Sequence, residues 1–183
     1  MTPLNETDQA TLLRIARESL VRYLDSSEIP DFAEPGDPLK QHCGAFVSLH
    51  RGRNLRGCVG VISADKPLYR TVGECAVWAG VQDHRFPPVT KPEVSGLNFE
   101  ISVLSPLEDI APEKIEVGRH GLIVSRGGTR GLLLPQVASE WKWDRARFLE
   151  ETCRKAGLPS DAWRHGARIQ AFTAQVFQEP LTP

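Results

Sequence analysis

The chain has 183 residues, 40% hydrophobic and 25% charged, with 22 Lys and Arg against 23 Asp and Glu for a formal charge of -1. That length and apolar content suit one domain with a real core and exclude a disordered chain, and the near-neutral balance excludes a global basic field able to hold a nucleic-acid backbone. The charge is uneven, however: Gly118 to Pro183 carries 10 basic and 6 acidic residues and the remainder 12 and 17, which leaves room for an anionic ligand on the C-terminal half without demanding one.

No apolar run approaches the roughly 18–20 residues that cross a bilayer, and the N-terminus lacks the basic and apolar regions of a secretory signal. The four cysteines are too few for a disulfide scaffold and read as free thiols in a reducing compartment. The expectation is a soluble, cytoplasmic chain with no membrane and no nucleic-acid partner.

A first helix is predicted from Thr7 to about Leu24, where Leu13, Ala16, Leu20 and Leu24 recur at helical spacing, with Asn5 or Thr7 as its cap. Ser26 to Leu39 contains Pro30, Pro35 and Pro38 and is a wrapping connector or a lid. A hairpin follows, Ala45 to Leu49 and Leu55 to Ile62, turning through Arg51 to Asn54. Leu68 to Asp83 reads as a helix with Pro67 in its first turn and Asp65 as cap, and Leu97 to Leu104 as an alternating strand. The order then recurs. Gly121 to Ser125 and Gly131 to Pro135 form a second hairpin, Asp144 to Ala156 a helix stopped by Gly157 and Pro159, and Arg168 to Phe177 a last strand. Residues 44–48 echo residues 121–125. The reading is an α+β single domain over 1–183 built from two hairpin–helix–strand repeats, about 43–104 and 119–178, whose mostly antiparallel strands share one curved sheet with flanking helices.

Among chemical signals, nucleotide-binding, metalloprotease, nucleophile-elbow and CxxC motifs are absent. Ser125 to Gly131 is glycine-rich, but its flanking strands favour a hairpin turn over a phosphate cradle. The most informative stretch is Leu55 to Gly60. In a strand, Arg56, Cys58 and Gly60 share one face, placing a guanidinium beside a thiol, which favours the thiolate, and a bare glycine beside it, which lets a ligand or another backbone approach. The plainer reading is a small buried Cys58 and a bulge at Gly60. A nucleophilic cysteine needs a base, and His120, between glycines at the start of the second hairpin, is the candidate. Glu100 lies on the Asn98–Ser102 face of its strand, as an acid, a base, an Arg partner or a solvated carboxylate. Asp83 and Arg85 are spaced to pair with each other. The cysteine spacings match no compact zinc site, so no metal is expected. Trp141 and Trp143 suit helix-entry packing or a stacking patch.

Taken together, residues 44–49, 55–60, 83–86, 99–105, 118–122, 134–138 and 153–158 resemble the AMMECR domain family, which includes protein A of the AmmeMemoRadiSam system. The blocks occur in order across nearly the whole chain, and Val59 stands where the family usually has Ile. The resemblance implies a barrel-like sheet of two repeats and a cleft where Cys58 gathers with Asp83, Arg85, Glu100, His120 and Gln136. It also implies association with a Memo-like protein and a radical SAM enzyme, but no established reaction. The expected function is an enzyme or enzyme component in which Cys58 attacks a small electrophilic or acyl-type substrate. Here His120 is base and acid, Glu100 orients it or pairs with an arginine, and Arg56, Gly60, Asp83, Arg85 and Gln136 contact the substrate, with no cofactor. The alternative is a non-catalytic module binding the Memo-like protein or a small ligand, rimmed by the Pro-rich segments Ile29–Pro38 and Phe86–Pro92.

Overall fold

The computed structural model describes residues 2–180. Helix α1 spans Glu6–Ser26; β1 (Ala45–Arg51) and β2 (Asn54–Val61) form the first hairpin; α2 spans Leu68–Val81 and β3 Asn98–Leu104. A two-residue strand β4 (Glu108–Asp109) precedes the second hairpin, β5 (Gly121–Arg126) and β6 (Thr129–Leu133), followed by α3 (Pro135–Glu140), α4 (Arg145–Lys155), β7 (Arg168–Phe172) and β8 (Ala174–Gln178).

The elements follow from local chemistry. Asn5 caps α1 in a capping box with Asp8, satisfying two helix donors that would otherwise be unpaired. Asp144 accepts from the Arg147 backbone N–H at the start of α4, and the Gly157 backbone adopts φ +70° just after the helix ends, a left-handed conformation that glycine adopts without strain. The α2 cap differs from expectation: Pro67, not Asp65, occupies that position and makes no side-chain cap bond. The six-residue α3 escaped sequence reading because it is too short to show a helical period.

The fold is α+β with antiparallel pairing, but its strands form two four-stranded sheets, β2-β1-β3-β8 and β4-β7-β5-β6, each open at both edges. The single curved, barrel-like sheet is therefore corrected. The physical reason lies in strand pairing: β3 is flanked by β1 and β8 and β7 by β5 and β4, so each hairpin completes a sheet of its own. The last strand predicted from Arg168 to Phe177 breaks at Thr173, β7 joining the second sheet and β8 the first.

The described residues form two compact units, one holding residues 2–104 and 175–180, the other Ser105–Ala174. In the first, Val47 and Leu49 of β1 and Phe99, Ile101 and Val103 of β3 are buried in one cluster with Leu12, Ile15 and Leu20 of α1 and Val72 and Cys75 of α2. Arg17 closes its edge, donating to both Glu179 carboxylate oxygens at 2.8 and 2.6 Å and to the Val94 and Leu97 carbonyls. In the second unit, Leu122, Val124, Ile169 and Ala171 pack with Phe148, Leu149 and Cys153 of α4. No helix among the described residues is long and apolar enough to cross a membrane.

Candidate functional site

Alternation along β2 sends Gly57 and Val59 toward the helices and Cys58 to the opposite face of the first sheet. Cys58 pairs with Ser48 on β1, and Ser48 pairs with Glu100 on β3, so thiol, hydroxyl and carboxylate occupy one row across three strands. Ser48 Oγ lies 3.2 Å from Cys58 Sγ. The ladder slips next to this row: Leu49 pairs with Gly57 and His50 with Leu55, so Arg56 is the extra residue of a bulge, a device that re-aims side chains beside a sheet edge.

Since β2 is an edge strand, Cys58 has backbone groups with no neighbouring strand. Asp83 and Arg85, just beyond α2, take that strand's place. Asp83 Oδ2 accepts the Cys58 N–H at 2.8 Å, and Arg85 Nη2 donates to the Cys58 carbonyl at 3.3 Å. The two are joined by a fork, Nε to Oδ1 at 2.9 Å and Nη2 to Oδ2 at 2.6 Å, which holds the buried Asp83 carboxyl well below its usual range, helped by the Cys58 and Arg85 backbone N–H groups. The cation acting on the thiol is thus Arg85. Burial pushes the Cys58 thiol up, opposed by the Ser48 hydroxyl and Arg85 and reinforced by Asp83 and Glu100. At rest the group is a neutral thiol, as are Cys43 and Cys75, pushed by burial to about 11 and about 12.

Arg56 points to Glu93, its Nε 3.2 Å from Oε1 and its Nη2 3.3 Å from Oε2, and Arg51 reaches the same carboxylate at 2.5 Å. The Thr90 backbone N–H is the chief cause holding Glu93 down at about 2, with Arg56 adding to it. Arg56 Nη1 and His50 Nε2 are buried with no hydrogen-bond partner among the described residues, two donor or acceptor positions on the same part of the sheet. The space over Gly60 is taken by the Phe46 ring, since a Cβ there would lie 2.4 Å from Phe46 Cγ.

The other expected residues, His120 and Gln136, belong to the second unit. His120 Nδ1 accepts the Glu116 backbone N–H at 3.1 Å while the His120 N–H donates to the Glu116 carbonyl at 3.0 Å. The neutral ring therefore carries its proton on Nε2, a hydrogen-bond donor. Gln136 stands on the first turn of α3 with its Oε1 buried and unpartnered. Trp141 and Trp143 stack with centroids 6.1 Å apart, and Trp141 is 68% exposed. Among the described residues no three His, Cys, Asp or Glu side chains are grouped to hold a metal ion. Sequence reasoning missed Ser48, which the polar alternation of Ser48 and His50 against Val47 and Leu49 signals, and Glu93, whose three-residue spacing from Thr90 signals a capping box but not its arginines, 37 and 42 positions away.

An α+β protein of two antiparallel sheets, with a thiol, a hydroxyl and a carboxylate in one row of the first, is the class that these observations define. The AMMECR1 family model matches residues 13–177, and the chain belongs to that family. It is 43% identical over 188 residues to a protein of Methanothermobacter thermautotrophicus, covering 97% of each chain, and 42% identical over 181 residues to protein PH0010 of Pyrococcus horikoshii, covering 92% of this chain and 88% of the relative. The crystal structure of PH0010, titled an uncharacterized protein, superposes with a TM-score of 0.86 over 92% of this chain and 89% of that one.

Proposed function

We propose that the polar face of the first sheet is a substrate site and that Cys58 acts there as a nucleophile on a small electrophilic or acyl-type substrate, the chain being an enzyme or enzyme component of the cytoplasm. The observation that carries this reading is the Cys58–Ser48–Glu100 row. A thiol held neutral by burial needs a base at the moment of attack rather than a standing thiolate. As the S–C bond forms, the Ser48 hydroxyl, which donates to Cys58 Sγ at rest, turns to accept the thiol proton and passes its own proton to Glu100, its cross-strand partner on β3. The leaving group departs with the electrons of its bond to carbon and is protonated from Glu100 along the same row. Arg56, with Nη1 unpartnered, suits an anionic group of the substrate, and Asp83 with Arg85 fixes the Cys58 backbone.

The test is acylation by p-nitrophenyl acetate, followed by peptide mass spectrometry. The acetyl group is expected on Cys58 ahead of Cys43, Cys75 and Cys153, with a rate about 100-fold lower in Glu100→Gln and about tenfold lower in Ser48→Ala. Acetylation of Cys58 no faster than Cys75 overturns it.

Two observations favour a second reading, a non-catalytic module docking the Memo-like protein that the family resemblance implies: burial pushes the Cys58 thiol up, and Asp83 and Arg85 are spent on backbone. That reading expects no acetyl adduct in native protein, with Cys58→Ala binding the partner as well as wild type.

A further inference from the structure

We propose that the second sheet carries a binding site for the phosphate group of a small soluble ligand, formed by Arg130, Ser125 and Arg168 beside the glycine turn of the second hairpin. Ser125 pairs with Arg130 on β6 and with Arg168 on β7, so the two arginines share the serine's face and flank it. Their backbones are two strand spacings apart, about 9.5 Å, a gap in which guanidinium groups from both sides reach one bound group above the hydroxyl. A carboxylate is satisfied by a single arginine fork, whereas a tetrahedral phosphate offers enough oxygens for the Arg130 fork, the Nη1 donors that Arg168 keeps beside its Asp109 fork, and the hydroxyl.

The surroundings match. The row borders a cavity of about 440 Å³ lined by Ser125, Arg126, Gly127, Gly128, Thr129, Arg130, Gly166 and Arg168. Its glycines Gly127, Gly128 and Gly166 have φ of +57°, +87° and +82°, and nothing lies within 4 Å of the Cβ that any of them would carry, so a ligand can reach the backbone there. Cationic charge exceeds what the protein itself answers. Arg168 forks onto Asp109 at 2.7 and 3.0 Å, Arg126 donates to the His165 carbonyl, and Arg130 makes no ion pair among the described residues. Like charges gathered on either side of one strand repel each other, and an anion relieves that repulsion. The lining has no apolar side chain to enter a bilayer, and a net charge of -1 gives no field for a nucleic-acid backbone, which leaves a small phosphorylated molecule.

The experiment titrates the 15N-labelled full chain with inorganic pyrophosphate and, separately, with sodium chloride to the same ionic strength, reading amide shifts. Saturable shifts at Gly127, Gly128, Arg130 and Gly166 with pyrophosphate alone are expected, weakened about tenfold by Arg130→Gln and by Arg168→Gln, at unchanged melting temperature because both side chains are exposed. Cys58→Ala should bind as wild type, which separates this site from the chemistry of the first unit. Shifts reproduced by chloride, or saturable shifts that survive both arginine substitutions, overturn the proposal. So does binding to phosphatidic-acid vesicles or an oligonucleotide with no response to pyrophosphate.

Discussion

Ser48 of the first unit and Ser125 of the second each stand four residues after a glycine, Gly44 or Gly121, that begins or precedes the first hairpin strand. Each is paired on both sides, but Ser48 lies between Cys58 and Glu100 and Ser125 between Arg130 and Arg168. One backbone pattern thus presents a thiol and a carboxylate in one unit and two guanidinium groups in the other. The backbone pattern extends to the helices. A Cβ on Gly57 would lie 2.1 Å from the Ala79 carbonyl oxygen, toward the end of α2, and one on Gly131 would lie 2.3 Å from the Ala156 nitrogen, at the end of α4. In both units a helix end rests on a bare Cα of the hairpin's second strand. Contact between backbones constrains the scaffold, and the opposite sheet face remains free to carry different chemistry.

The comparison breaks most directly at those glycines. Gly57→Ala and Gly131→Ala are each expected to cost about 3 kcal/mol, because backbone rather than a flexible side chain must move. Urea unfolding checks this, and a tolerant Gly131 would show that the two helix contacts are not equivalent. Asp83→Ala removes the acceptor of an edge-strand N–H that has no strand beside it, with a loss of about 2 kcal/mol expected. Faster hydrogen exchange at the Cys58 amide should accompany it.

Acid provides a third test. Asp83 and Glu93 both have folded pKa values below their unfolded ones, so the stability they confer is fully present above the unfolded values, about 3.9 and 4.3. It is lost as pH falls through the folded values, about 2 for Glu93. The melting temperature should therefore decline as pH falls from about 4.5 toward 2, and Glu93→Gln should flatten that decline. If Glu93→Gln leaves the slope unchanged, the cluster with Arg51 and Arg56 contributes nothing to it. The smallest effect is expected at the paired serines. Ser125→Ala should change stability by less than about 0.5 kcal/mol, while Ser48→Ala should shift the alkylation profile of Cys58 to higher pH by removing a bond that favours the thiolate. Equal behaviour of the two variants in both assays would erase the chemical distinction between the units.

Much of the scaffold was legible in residue order. The apolar period of α1, the alternation of β3 and the glycine turn between β5 and β6 are local patterns, and local sterics decide them. The alternation that puts Cys58 and Gly60 on one face of β2 was legible for the same reason, and so was the spacing that lets Asp83 and Arg85 pair, but the bulge that takes Arg56 out of that alternation was not. What that pair does was not legible. Its grip on the Cys58 backbone joins positions 25 and 27 apart, and no local pattern reports a contact at that separation. Arg56 illustrates the same limit: beside Cys58 in the chain, it is drawn off by Glu93 across a bulge.

By itself the sequence determined the longer helices and the hairpin strands, the family and the face on which the thiol lies, because these depend on side-chain period and on neighbours in the chain. Only the tertiary structure decided that the strands divide into two open sheets, that β8 pairs with β3, and that Ser48 stands between Cys58 and Glu100. Those outcomes depend on which strands exchange hydrogen bonds across tens of residues, where burial of each unit's own apolar face selects the pairing.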